Sequence, residues 1–291
     1  MFLRAKMYKK LLPLTAAVLL LAGCGGGQNR VNTPDNIDDD SLTAIARESI
    51  KLSEEEERDE LIAQEPLPQS ADELFDDFIF NFASNKRLQM ERITFPLLVN
   101  SGAKKEYIQP EKWQMEHFFM HQGEYTLMLD REEQMELMQD TALIDVALEK
   151  IFLDESFVRQ YLFSRASGRW MLTEIRNQTL PRNANAQFIA FYQQFATDSV
   201  FQRESLAEEI VFQGPDPDDD FSEMEGVITP DFWDAFSPEL PQRILFNIVY
   251  APADPQSQQK ILVIRGISNG LEQMLTFRMQ QGRWVLVKLV E

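Results

Sequence analysis

Apolar residues recur along this chain in three rhythms. Leu11 to Ala22 is almost unbroken apolar sequence behind Arg4, Lys6, Lys9 and Lys10. Phe75, Phe78, Ile79 and Phe82 fall at i, i+3, i+4 and i+7, and Phe188, Phe191, Tyr192 and Phe195 do the same. That spacing places four side chains on one helical stripe, so it predicts an amphipathic helix at each place. Ser70 with Glu73 has the spacing of a capping box, and Asn85 and Asp198 stand where a second helix takes its N-cap. Further on, the period falls to two. Phe157, Arg159, Tyr161 and Phe163 alternate with Val158, Gln160, Leu162 and Ser164. Strands are likewise predicted over 244–250, 261–264, 271–279 and 284–290, with turns at Ser167-Gly168 and Gln281-Gly282. Strands joined by tight turns form an antiparallel meander. Both faces of these strands are rather apolar, which calls for helices on one side and a partner surface on the other.

The helix-then-strand order occurs twice because the sequence repeats. Phe75, Phe78, Phe82, Ala83, Gln89 and Glu91 match Phe188, Phe191, Phe195, Ala196, Gln202 and Glu204 at an offset of 113. Ile108, Pro110 and Trp113 match Ile228, Pro230 and Trp233 at 120, and Gly168-Arg169-Trp170 matches Gly282-Arg283-Trp284 at 114. An acidic insertion over Gly214 to Asp220 accounts for the slip and reads as a surface loop, since it lacks the spacing of a calcium loop. Three blocks in one order predict a tandem duplication, with copies at 70–177 and 183–291 joined through Leu180-Pro181-Arg182. Helices followed by a meander make each copy an α+β unit.

Composition sharpens the picture at the N-terminus. The 291 residues carry 28 Lys+Arg against 47 Asp+Glu, a formal charge of −19. That balance argues against nucleic acid as a partner. The single cysteine excludes an internal disulfide and a cysteine zinc cage. The apolar run is too short to span a membrane and follows a basic head, so residues 1–23 read as a secretory signal. It ends in Leu21-Ala22-Gly23-Cys24, which resembles the lipobox of bacterial lipoproteins. The resemblance implies cleavage between Gly23 and Cys24 and lipid on the Cys24 sulfur, hence a membrane attachment made by acyl chains. Residues 24–69 read as a flexible acidic tether, opening on Gly25-Gly26-Gly27 and carrying Glu54 to Glu57. Surface-exported lipoproteins of Bacteroides-like bacteria, which this N-terminus resembles, carry acidic residues soon after the lipidated cysteine; the first one here is Asp35, so the resemblance implies the periplasmic side of the outer membrane.

The order of elements resembles the nuclear-transport-factor-2-like (cystatin-like) cone fold. Phe82-Ala83-Ser84-Asn85, Gln89 and Arg92 to Leu97 resemble the domain of unknown function 4348 of lipoproteins from Bacteroides-like bacteria. The second copy departs from it, with Ser205-Leu206 in place of Arg92-Ile93. The resemblance implies a curved sheet wrapped round N-terminal helices, a pocket, and no established activity.

Candidate chemistry is sparse. His117 and His121 stand at i, i+4 beside Glu116 and Glu124, but lack the adjacent glutamate of zinc peptidases, so surface or hydrogen-bonded histidines are expected rather than a metal site. Trp113 and Trp233 follow a proline at equal spacing and serve either the core or a pocket wall. Asp145 and Glu149 fall on one face of a predicted strand, a pair suited to acid–base work if buried and expected to be solvated. No phosphate loop or nucleophile elbow occurs, and no cofactor is expected. The expected function is therefore a non-catalytic, lipid-anchored envelope protein binding a protein or small ligand. The alternatives are a cone-fold enzyme, isomerase- or hydrolase-like, and a structural assembly module.

Overall fold

The computed structural model describes residues 72–216 and 219–291. The signal, Cys24, the tether and Ser70 lie outside the described residues; the capping box expected from Ser70 and Glu73 does not start the first helix, whose N-cap is Leu74 with no side-chain cap bond. The aromatic stripe over 75–82 forms α1 (Phe75–Ser84), burying Phe75, Phe78, Ile79 and Phe82. Asn85 then breaks the helix in extended conformation and caps α2 (Lys86–Arg92), its Oδ1 accepting the Leu88 N–H at 3.0 Å. The same device recurs in the second half. There α3 (Ala186–Thr197) is followed by α4 (Ser199–Glu204), whose first N–H groups donate to Asp198 Oδ1.

Twelve strands follow the helices, six in each half. They are β1 (Ile93–Ser101), β2 (Lys104–Ile108), β3 (Glu124–Leu129), β4 (Asp145–Phe152), β5 (Phe157–Ala166) and β6 (Arg169–Thr179), then β7 (Leu206–Asp216), β8 (Asp219–Ile228), β9 (Ile244–Val249), β10 (Gln259–Gly266), β11 (Glu272–Gln280) and β12 (Arg283–Val290). The β5–β6 and β11–β12 hairpins close through Ser167-Gly168 and Gln281-Gly282, with positive φ at all four residues. Two successive left-handed residues match the twist of paired strands, and glycine adopts the second without strain. The acidic insertion lies at the far end of the β7–β8 pair, which is longer than the β1–β2 pair opposite.

All twelve strands belong to one sheet, in the order β2-β1-β6-β5-β4-β9-β3-β10-β11-β12-β7-β8. The sheet is mixed, where a purely antiparallel meander was expected. β1 returns from α2 to run parallel to β6, β7 runs parallel to β12, and β3 meets β9 in parallel at Thr126 and Asn247. The halves 70–177 and 183–291 share this sheet, and the described residues fall in one compact unit. At the join β3 and β9 are crossed. β9 pairs with β4 of the other half, and β3 pairs with β10.

The crossing explains the two apolar faces of the strands. Val146, Leu148, Phe246, Ile248, Leu127 and Val263 point into the core beneath α1. Their neighbours Ile151, Leu245, Met128, Leu262 and Ile264 point the other way, into the core beneath α3. Each half's helices thus cover opposite faces of the central strands, and the partner surface foreseen for the second face belongs to the chain itself. Both cores are packed with rings: Phe78, Phe82, Phe163 and Trp170 in one, Phe188, Phe195, Phe277 and Trp233 in the other, all fully buried.

Candidate functional site

Trp113 and Trp233 are set by one repeated device. Each indole Nε1–H donates to the Oε1 of a glutamine on the short second helix, Gln89 at 3.0 Å and Gln202 at 2.9 Å. The glutamine's Nε2 donates in turn to the Phe82 or Phe195 carbonyl at the end of the first helix. Gln89, wholly buried, also bonds both backbone groups of Glu116. The tryptophans therefore lock the helix pair to the following segment; neither lines a described cavity.

His117 precedes a short 3₁₀ helix, Phe118–His121, rather than lying inside an α-helix. The two imidazole centroids lie 4.5 Å apart. The neighbouring Glu116 is committed inward, taking the Tyr161 hydroxyl at 2.7 Å and the Lys150 ammonium at 3.2 Å. Among the described residues no group of three His, Cys, Asp or Glu is placed to hold a metal.

Asp145 and Glu149 share a face of β4 as the alternation required, but their environments differ. Asp145 is exposed and accepts from Ser164 Oγ at 2.6 Å. Glu149 is buried, contrary to the expectation that it faces solvent. Its carboxylate accepts three amides: Gln160 Nε2 at 2.8 Å, Asn183 Nδ2 at 2.7 Å and Asn247 Nδ2 at 3.0 Å. Asn247 Oδ1 takes the Met128 N–H, and Asn183 Oδ1 takes the Asn185 N–H. Asn185 Oδ1 accepts from the buried Lys260 ammonium, which also pairs with Asp130. This chain of polar groups joins β4, β9, β3, β10 and the segment between the halves. A buried carboxylate that accepts from three amides is a structural centre, because a polar group is tolerable in the interior only when it is hydrogen-bonded.

A second polar cluster had no signal in the sequence. The Tyr250 hydroxyl donates to Asp76 on α1, with Tyr125 and Arg265 alongside, and Arg265 pairs with Glu272 at 2.5 Å. Burial raises the Asp76 carboxyl above the ordinary range, against the opposing effects of the Tyr250 hydrogen bond and the Arg265 charge. Burial, reinforced by the Asp76 charge, pushes the Tyr125 phenol up to about 12. Burial, then the Asp76 charge, raises the Tyr250 phenol as well, so both phenols remain protonated at neutral pH. Asp76 and Tyr250 lie 174 positions apart, so only the folded sheet brings them together.

Tyr250 also borders an open groove of about 450 Å³ on the face of the first half turned away from α1. Ala147, Leu162, Thr173 and Val249 contribute to its lining, with Asp145 and Ser164 as polar groups. The second half's core covers the neighbouring Ile151 and Val158 on that face and stops short of this end. A smaller cavity of about 330 Å³ lies in the second half between α3, the end of α4 and the start of β12. Both concavities lie outside the ring-packed centres of the two cores.

A solved structure shares the architecture. It is an NTF2-like protein from Bacteroides fragilis NCTC 9343, 42% identical, with a TM-score of 0.71 over 77% of this chain and 98% of that one. No curated protein matches the chain. Residues 54–291 match the family described as domain of unknown function DUF4348, and the chain is therefore a member of that family with an NTF2-like α+β fold.

Proposed function

We propose that this protein is a lipid-anchored, non-catalytic binding module of the cell envelope, made of two fused copies of one cone-like unit. The anchor is the Cys24 sulfur, and the place is the outer membrane on its periplasmic side, with residues 24–69 as spacer. The observation that carries the binding reading is the filling of both cone interiors by aromatic side chains, while a groove of about 450 Å³ lies open on the outer face of the sheet. That volume suits a small molecule or a short peptide segment. Its mostly apolar floor supplies the contact area, and Asp145, Ser164 and Thr173 supply direction. Fold analogy adds nothing about the ligand, because this architecture hosts many functions.

The anchor is tested by metabolic labelling with an alkynyl fatty acid. The wild-type protein incorporates label and sediments with membranes, and Cys24→Ala does neither. Unchanged labelling of the variant sinks the anchor. A second reading has one observation in its favour, the Asp76 carboxyl raised by burial beside Tyr250, an arrangement that suits proton transfer. If it holds, Asp76→Asn abolishes a measurable turnover. If binding alone is the function, the variant keeps ligand affinity.

A further inference from the structure

The two halves differ in an ion pair whose flanking residues correspond between them. In the first half Arg92 and Asp72 form a two-point ion pair, Nη1 to Oδ1 and Nη2 to Oδ2, both at 2.7 Å. Asp72 Oδ1 also accepts the Trp170 backbone N–H at 3.0 Å, and the Arg169 charge lies close by. The offset of 113 puts Ser205 in the place of Arg92 and Asn185 in that of Asp72, while Arg283-Trp284 keeps the place of Arg169-Trp170. Both substitutes turn away. Ser205 Oγ donates to the Phe201 carbonyl at 2.8 Å, and Asn185 Oδ1 accepts from Lys260 at 2.6 Å.

A guanidinium and a carboxylate have thus been withdrawn, and a cavity of about 330 Å³ lies at that place, lined by Ser205, Glu204, Arg283, Trp284, Phe191 and Phe201 among others. The rim keeps charges of both signs. Glu91, the counterpart of Glu204, is held by Arg87 at 3.0 Å, but Val200 stands where Arg87 would be. Among the described residues neither Glu204 nor Arg283 enters an ion pair.

We propose that this cavity binds a small zwitterion, an amino acid or dipeptide whose carboxylate faces Arg283 and whose cationic group faces Glu204. The ligand replaces the ion pair that the first half supplies from its own chain. Trp284, Phe191 and Phe201 give its carbon skeleton an aromatic wall. The site is separate from the groove beside Asp145 and does not depend on the groove's being occupied.

Isothermal titration of the full chain without its signal tests this, using L-arginine and L-phenylalanine as probes. Guanidinium chloride and benzoate serve as singly charged controls. Saturable binding of at least one amino acid is expected, weakened about tenfold or more by either Arg283→Gln or Glu204→Gln, each the loss of about one charged contact. Both positions are exposed, so the variants fold. Ser205→Arg combined with Asn185→Asp rebuilds the first-half pair and abolishes binding; Ser205→Phe, which only fills space, does the same if the double variant fails to fold. No saturable binding of either amino acid overturns the proposal. So does binding that is unchanged in both rim variants, or a singly charged control that binds as tightly as the zwitterion.

Discussion

Glu149→Ala removes the acceptor at the crossing of the halves. Three amide donors lose their partner, those of Gln160, Asn183 and Asn247 at 2.8, 2.7 and 3.0 Å. Gln160 is half-buried and turns to water, whereas Asn183 and Asn247 are buried and have no such recourse. At about 1–3 kcal/mol for each stranded buried donor, the loss is about 3–4 kcal/mol once relaxation is allowed for. In a unit of this size that corresponds to a drop in melting temperature of about 6–15 °C. Glu149→Gln keeps the volume and one acceptor oxygen. It turns an amide toward one donor but no longer buries a charge, so its cost is about 1 kcal/mol. Urea denaturation followed by tryptophan fluorescence measures both. An alanine variant within about 0.5 kcal/mol of wild type, the range of an ordinary surface change, refutes the account of this network. Equal losses for alanine and glutamine refute it too.

Three further predictions follow from other contacts. Gln89→Leu strands the Trp113 indole and both backbone groups of Glu116 and costs about 2–4 kcal/mol, while Gln202→Leu costs about half as much, the order being read by thermal denaturation. Burial alone would raise the Asp72 carboxyl, but its hydrogen bonds from Arg92 and Trp170 hold it below the ordinary value. Its contribution to stability is therefore complete above the unfolded value near 3.8 and is lost as the pH falls through the lower folded value, so Asp72→Asn flattens the acid limb of a stability-against-pH curve. Residues 70–182 expressed alone lose β9 from the edge of β4 and self-associate, and mixing with 183–291 yields a one-to-one complex by light scattering. A monomeric, cooperatively folding first half contradicts the interlocked sheet.

Local features were legible in the sequence and distant ones were not, for a physical reason. The helical stripes, the Asn85 and Asp198 caps and the two glycine turns depend on neighbours a few residues away, so their spacing reveals them. The parallel return of β1 beside β6 and the crossing of β3 with β9 depend on pairing across long separations, which periodicity does not encode. Glu149 was misjudged for the same reason. Its place on one face of β4 with Asp145, opposite Leu148, follows from the alternation, but the groups that cover it come from Asn183 and Asn247. The Asp76–Tyr250 contact joins the first helix to the end of β9, and no motif marks either residue. The recurrence of Gln89 and Trp113 as Gln202 and Trp233 was visible, and the repeated indole-to-amide bond gives it a cause.

The central claim is that an anchored chain with filled cones binds through the open face of its sheet. Site-specific photo-crosslinking in growing cells tests it most directly, with a photoreactive phenylalanine at Thr173 in the groove and, as control, at Tyr107 on the exposed β2. The account predicts a discrete, saturable adduct from the Thr173 position and none from Tyr107. No adduct at Thr173, or the same products from both positions, contradicts it.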